Sequence, residues 1–130
     1  MRTIRVAAAI IRNGDRILAA QRGYGDLAGG WEFPGGKLEE GETGEAACVR
    51  EIREELNVLV GNLSPLCTVE HDYETFHLSM ECFLCTILEG TIDDTEHSSL
   101  RWLDRTQLWE IDWLPADVKV VRELESLIGS

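Results

Sequence analysis

Glu51, Glu54 and Glu55 are spaced by three and four positions, so on a helix turning 100° per residue their carboxylates lie side by side on one arc. Like charges at that spacing repel, and near a helix C-terminus the dipole disfavours them further. Such a face is either a solvated surface relieved by Arg50 and Arg53, or a set of oxygen ligands for a hard divalent cation. Mg2+ suits that donor set, with Mn2+ as a substitute. A metal held there would serve phosphorus chemistry, where negative charge must be neutralised and a water activated.

The helix that presents these groups is read over Gly41 to Leu56, with Cys48, Val49, Ile52 and Leu56 as the arc that packs on a sheet. Glu42 and Arg50 would stand about 12 Å apart along a straight helix, so they can pair only if Glu42 lies in the preceding loop and folds back. Just upstream, Gly35 and Gly36 permit a close backbone approach to metal or phosphate.

The elements around this helix follow from periodicity and turn residues. Arg5 to Ile11 and Arg16 to Gln21 read as antiparallel strands about an Asn13-Gly14 turn. Trp31 to Phe33 is a short strand behind a glycine-rich connection, and Val69 to Tyr73 and Thr75 to Leu88 are further strands. Glu89 to Ser99 reads as an acidic surface loop and Leu100 to Leu103 as a strand. Asp104 and Gln107 signal a short helix through Trp109. Pro115 opens a last helix with Val118, Val121, Leu124 and Leu127 or Ile128 as its buried stripe. This order of strands and helices is that of an α+β or α/β sandwich.

Composition narrows the function classes. The 130 residues fit one domain, and a net charge of -12 would repel a phosphate backbone, so no nucleic-acid polymer is expected as partner. The longest apolar runs, Val6 to Ile11 and Leu56 to Val60, fall far short of the roughly 20 residues that cross a bilayer, so no membrane is expected either. The first residues lack a signal-peptide pattern, and a cytoplasmic location is expected. Cys82 and Cys85 fall on opposite faces of a strand and read as buried thiols rather than a metal pair. His71, His77 and His97 have no ligand-like spacing, and the four tryptophans read as core or pocket wall. The sequence does not distinguish a monomer from a homodimer.

From Gly36 the chain runs five residues to Glu42 and seven more to Arg50-Glu51-Ile52-Arg53-Glu54-Glu55-Leu56-Asn57-Val58. This resembles the Nudix box, G-x5-E-x7-R-E-U-x-E-E-x-G-U with U a large aliphatic residue. The departure is Asn57, where the family has glycine; asparagine is the next-best residue for a left-handed helix cap. Trp31 to Lys37 resembles the segment that leads into the box in the MutT branch. The amino-terminal hairpin, Glu96 before Trp102, and Leu114-Pro115-Ala116-Asp117 resemble that branch too, so the likeness covers nearly the whole chain.

The resemblance implies a Nudix-type α/β/α sandwich around a mixed sheet, a single domain over residues 1–130, that hydrolyses nucleoside diphosphates linked to another group. It implies that Glu51, Glu54, Glu55, Glu96 and the Gly35 carbonyl hold the metal, and that Glu42 and Arg50 orient the metal-binding glutamates. Glu51, Glu54 and Glu96 are each candidates for the general base. Arg22 and Lys37 correspond to basic residues that reach substrate phosphates, Glu32 and Phe33 belong to the substrate-binding leading segment, and Asp117 to the base-reading position.

An ionised Asp117 only accepts, and guanine offers it two adjacent N–H donors where cytosine offers one donor beside a ring acceptor. The expected activity is therefore pyrophosphohydrolysis of a nucleoside triphosphate, 8-oxo-dGTP first, cleansing the nucleotide pool. CTP, dCTP or 5-hydroxy-dCTP is the alternative substrate class, and a non-catalytic nucleotide-binding module the alternative of another kind.

Overall fold

A computed structural model describes residues 1–93 and 97–128 of the chain. Its centre is β1 (Arg2–Asn13), whose Val6 to Ile11 run is apolar on both faces because both faces are covered. Ala8 and Ile10 enter one core, and Ala7, Ala9 and Ile11 the other. The first core lies under α2 (Pro115–Ile128) and the second under α1 (Gly44–Leu56), so one helix covers each face of the sheet. The expected mixed α/β sandwich is what forms.

Along one edge, β1 runs parallel to β6 (Phe76–Glu89), which pairs antiparallel with β5 (Leu59–Asp72). On its other edge β1 meets β2 (Arg16–Arg22) only near the hairpin turn, at Arg12↔Ile17 and Asn13↔Arg16. Beyond those pairs the two strands diverge, and the segment from Trp31 to Lys37 fills the gap. There β3 (Trp31–Glu32) pairs with β2, while β4 (Gly35–Lys37) pairs with β1. Between them the Ala9 N–H donates to the Pro34 carbonyl at 2.8 Å. The far edge of β2 carries β7 (His97–Leu103). This wedge sets glycine backbone beside the carboxylates of α1.

Several local expectations shift. The hairpin turn centres on Gly14 and Asp15 rather than Asn13-Gly14: Gly14 takes φ +62, as the first position of a two-residue turn with glycine requires. Helix α1 starts at Gly44 rather than Gly41, because the Thr43 hydroxyl accepts from the Ala46 N–H and Gly41 sits at φ +77 in the preceding turn. The Asp104 and Gln107 capping contacts form, yet turns rather than a helix follow them. On α2 the buried apolar residues are Ala116, Val120, Val121 and Leu124; Val118 is half-buried and Leu127 exposed, while the Ile128 side chain lies outside the described residues. Trp113 is buried, Trp31 and Trp102 border the two cores, and Trp109 is exposed rather than core, with its indole N–H donating to Glu125.

Candidate active site

The C-terminal end of α1 is closed by Asn57 in the left-handed conformation, φ 58 and ψ 34, its N–H donating to the Arg53 carbonyl. Asparagine thus does the work of the expected glycine, and the three glutamates keep their helical register. Glu42 lies ahead of the helix and folds back, as its spacing demanded. Arg50 grips it with two bonds, Nε to Oε2 at 2.8 Å and Nη2 to Oε1 at 2.9 Å. This contact, with a further bond from the Glu39 N–H, holds the Glu42 carboxyl down at about 2. The same guanidinium donates through Nη1 to Glu51 at 2.9 Å and Glu54 at 3.2 Å, and through Nη2 to the Lys37 carbonyl at 2.9 Å. Bonding to Glu42 first, and then Glu51, raises the Arg50 pKa beyond its ordinary value.

Gly36 passes so close to this array that a Cβ there would strike the Glu51 carboxylate. Gly35 is pressed equally tightly on the Ala7 and Ala8 backbone. Gly36 thus sets peptide backbone beside the Glu51 carboxylate, and the hard oxygens available there would suit Mg2+ or Mn2+. Among the described residues no three of His, Cys, Asp and Glu already converge into a cation cage. That is compatible with Mg2+, which takes one or two carboxylates and completes its shell from water and substrate phosphates. Glu96 lies outside the described residues.

From this flank a cavity of about 440 Å3 runs to the N-terminus of α2. Gly35, Gly36, Lys37, Glu51 and Glu55 line one end, and Phe33 and Asp117 the other. A pairing between Trp31 and Trp113, with N–H bonds from Trp31 to Asp112 and from Leu114 to Trp31, carries the chain to that far end. The Phe33 ring stacks on Trp113 at 4.6 Å, and the Phe33 N–H donates to Asp117 Oδ1 at 3.1 Å. Asp117 is only 5% exposed, and burial pushes its carboxyl up to about 8, against the opposing pull of the Phe33 bond. Burial thus favours the protonated acid, which would carry both a donor and an acceptor where the ionised form only accepts.

Arg22 and Glu32 stand on the wall between the two ends, with Nε to Oε1 at 3.4 Å, and the Arg22 guanidinium also lies 5.5 Å over the Tyr24 ring. The sequence reading missed His97, whose Nε2 lies 3.3 Å from Glu32 Oε2, and the aromatic wall of Tyr24, Tyr73 and Phe76. Tyr73 stacks on Phe76, and its hydroxyl accepts from the Ala116 N–H at the start of α2. No local motif marks these residues, because a hairpin end, a loop and the start of β7 bring them to the pocket. A second hollow, about 580 Å3 beside Gly14, Asp15 and Arg105, lies at the other end of β1 and contains none of these groups.

Comparison with known proteins agrees with this geometry. A family model for the NUDIX domain matches residues 1–124. A Mycobacterium tuberculosis protein named putative 8-oxo-dGTP diphosphatase 2 is 38% identical, over 96% of this chain and 90% of the relative. The CTP pyrophosphohydrolase of Escherichia coli is 32% identical, over 98% of this chain and 95% of its own. Among solved structures, a MutT NUDIX hydrolase from Burkholderia pseudomallei superposes with a TM-score of 0.87 at 26% identity, covering 95% of this chain and 99% of that one. With the box helix, the glycine wedge and the two-sided sheet all in place, the chain belongs to the Nudix family and is a Nudix hydrolase.

Proposed function

We propose that the protein is a Mg2+-dependent pyrophosphohydrolase that converts a nucleoside triphosphate to the monophosphate and pyrophosphate, acting first on 8-oxo-dGTP. The observation that carries this reading is the continuous cavity with oxygen ligands at one end and the Phe33–Asp117 pair at the other. A base at Asp117 leaves its phosphates toward α1, and a chain of net charge -12 can hold a triphosphate only if cations offset the repulsion.

Glu51, Glu54, Glu55 and the Gly35 carbonyl would hold the metal, with Glu96 as a further ligand. A bound divalent cation neutralises phosphate charge and lowers the pKa of the attacking water. Arg50 and Glu42 keep the carboxylates oriented, and Lys37 and Arg22 offer positive charge along the phosphate path. Glu51, Glu54 and Glu96 are the candidates for taking the proton of that water. At the base end, neutral Asp117 donates to the guanine O6 and accepts from N1–H, while Phe33, Tyr73 and Phe76 bury the ring faces. In the cytoplasm such an activity removes damaged precursors from the nucleotide pool.

A second reading follows from the burial of Asp117. A protonated acid also matches cytosine, donating to N3 and accepting from the N4 amine, so CTP, dCTP and 5-hydroxy-dCTP are the competing substrates. The test is pyrophosphate release with Mg2+ across 8-oxo-dGTP, dGTP, CTP, dCTP, 5-hydroxy-dCTP and ADP-ribose, compared as kcat/KM. The highest value for 8-oxo-dGTP supports the first reading; the highest for a cytosine nucleotide replaces it with the second. Failure to cleave any triphosphate overturns both.

A further inference from the structure

Behind the pocket floor, Cys67 on β5 stands directly opposite Cys82 on β6. Residues so opposed on antiparallel strands have Cα atoms about 4.5 to 5.5 Å apart, inside the roughly 4.4 to 6.8 Å span of a disulfide. Both are free cysteines on the same face of the sheet, Cys82 in the core under α2 and Cys67 packed against it. They differ in access: Cys67 is partly exposed beneath α2, while Cys82 is 1% exposed in the core that also holds Phe33, Trp113 and Ala116. We infer that Cys67 and Cys82 form a peroxide-oxidisable dithiol site, with Cys67 as the attacking thiol and Cys82 as the resolving one.

The environment sorts these roles. The neighbouring Cys82 lowers the pKa of Cys67, whereas proximity to Cys67 and then burial raise that of Cys82. The thiolate therefore forms on the sulfur that solvent can reach. Cys67 Sγ attacks hydrogen peroxide, the O–O bond breaks, one oxygen stays on sulfur as the sulfenic acid, and the other leaves as hydroxide and takes a proton to become water. Cys82 Sγ then attacks the Cys67 sulfur, forming the S–S bond as the S–O bond breaks. Its proton departs with the hydroxyl as a second water. Two thiols are oxidised and one peroxide is reduced.

The other cysteines supply an internal control. Cys48 on α1 and Cys85 on β6 also touch, but both are fully buried, and contact with Cys48 followed by burial raises the Cys85 pKa. Neither presents a thiolate to solvent, so this second pair stays reduced in the folded protein.

The experiment treats the native full-length chain with hydrogen peroxide, blocks remaining thiols with an alkylating reagent under denaturing conditions, and maps the peptides by mass spectrometry. The expected product is a Cys67–Cys82 linked peptide two hydrogen masses lighter, reversed by dithiothreitol, with Cys48 and Cys85 alkylated. Cys82→Ser should divert Cys67 to the sulfinic acid, and Cys67→Ser should leave Cys82 a thiol. Wild-type protein that gives Cys67 sulfinic acid without the linked peptide, or that links Cys48 to Cys85 instead, overturns the assignment. The peptide map of the unsubstituted chain decides the question even if a variant fails to fold.

Discussion

The Phe33 N–H donates to Asp117 Oδ1 at 3.1 Å, across 84 positions of sequence. Phe33 lies two residues before Gly35, and Asp117 is in the first turn of α2, so this bond fixes the proposed base end of the pocket relative to the glycine wedge at the proposed metal end. The strand pairing of Trp31 with Trp113 sets the same distance a second time. A nucleotide of fixed length between base and phosphates needs such a frame, because misplacing either end takes the phosphorus out of reach of the attacking water.

The buried acid should leave a pH signature in stability. The Asp117 pKa is raised from 3.8 to about 8 on folding, so between those values the folded chain holds a proton that the unfolded chain has lost. The stability that this proton confers is complete below the unfolded pKa and is lost as pH rises through about 8. Asp117→Asn keeps an acceptor for Phe33 and cannot ionise. Its melting temperature should exceed the wild-type value increasingly from pH 5 to pH 8, by the equivalent of a few kcal/mol. Parallel curves for the two proteins across that range would mean that Asp117 is ionised in the folded state.

Arg50 should tolerate no substitute. It holds Glu42 with two bonds and reaches Glu51, Glu54 and the Lys37 carbonyl with the rest of its fork, a geometry that a lysine ammonium cannot reproduce. Arg50→Lys keeps the charge, yet kcat should fall roughly 10- to 100-fold, as for other partners that orient metal ligands. Steady-state rates alongside circular dichroism check this, and full activity in a folded Arg50→Lys protein would remove the orienting role.

Legibility in the sequence followed the range of the interactions. The folded-back Glu42, the carboxylate arc on α1 and the Asn57 cap were readable because helix period and capping are local. The ten residues from Leu59 to Thr68 were not read as strand: Gly61, Asn62 at φ 54 and Pro65 interrupt the alternation, and the register with β6 shifts along the stretch. His97 and Tyr73 escaped for another reason. Their partners, Glu32 and Ala116, are distant in sequence, and no spacing rule reports a pair made by the sheet. The burial of Asp117 was illegible for the same reason, since burial is a tertiary property.

Away from the pocket, His77 should supply a second pH effect. Its ring meets Asp72 at 2.6 Å and Glu70 at 2.8 Å, and these carboxylates, Asp72 first, raise its pKa above 6.5. The protonated ring stabilises the fold fully below the unfolded pKa, and the gain is lost as pH rises through the folded value. His77→Gln should therefore narrow the difference in melting temperature between pH 6 and pH 8. High salt should shrink the effect in the parent chain, because the cluster is at the surface. An unchanged difference in the variant would show that His77 contributes nothing to the pH dependence.

Gly36→Ala tests the proposed metal site separately from the fold. The added Cβ would meet the carboxylate of Glu51, the far end of a side chain, rather than backbone. Glu51 can swing aside with little cost to the sheet, but doing so breaks its 2.9 Å bond to Arg50 and removes an oxygen from the donor set. Folding should survive, with a melting temperature close to that of the parent in chelator. Mg2+ should raise that temperature in the parent, because an ion bound only by the folded state stabilises it, and the variant should need about tenfold more Mg2+ for the same rise. Gly35→Ala is the contrasting case: its Cβ would enter the Ala7 and Ala8 backbone, so that variant should lose stability even in chelator. If Gly36→Ala instead unfolds like Gly35→Ala, Glu51 is fixed by packing; if it binds Mg2+ as the parent does, Glu51 is not a ligand.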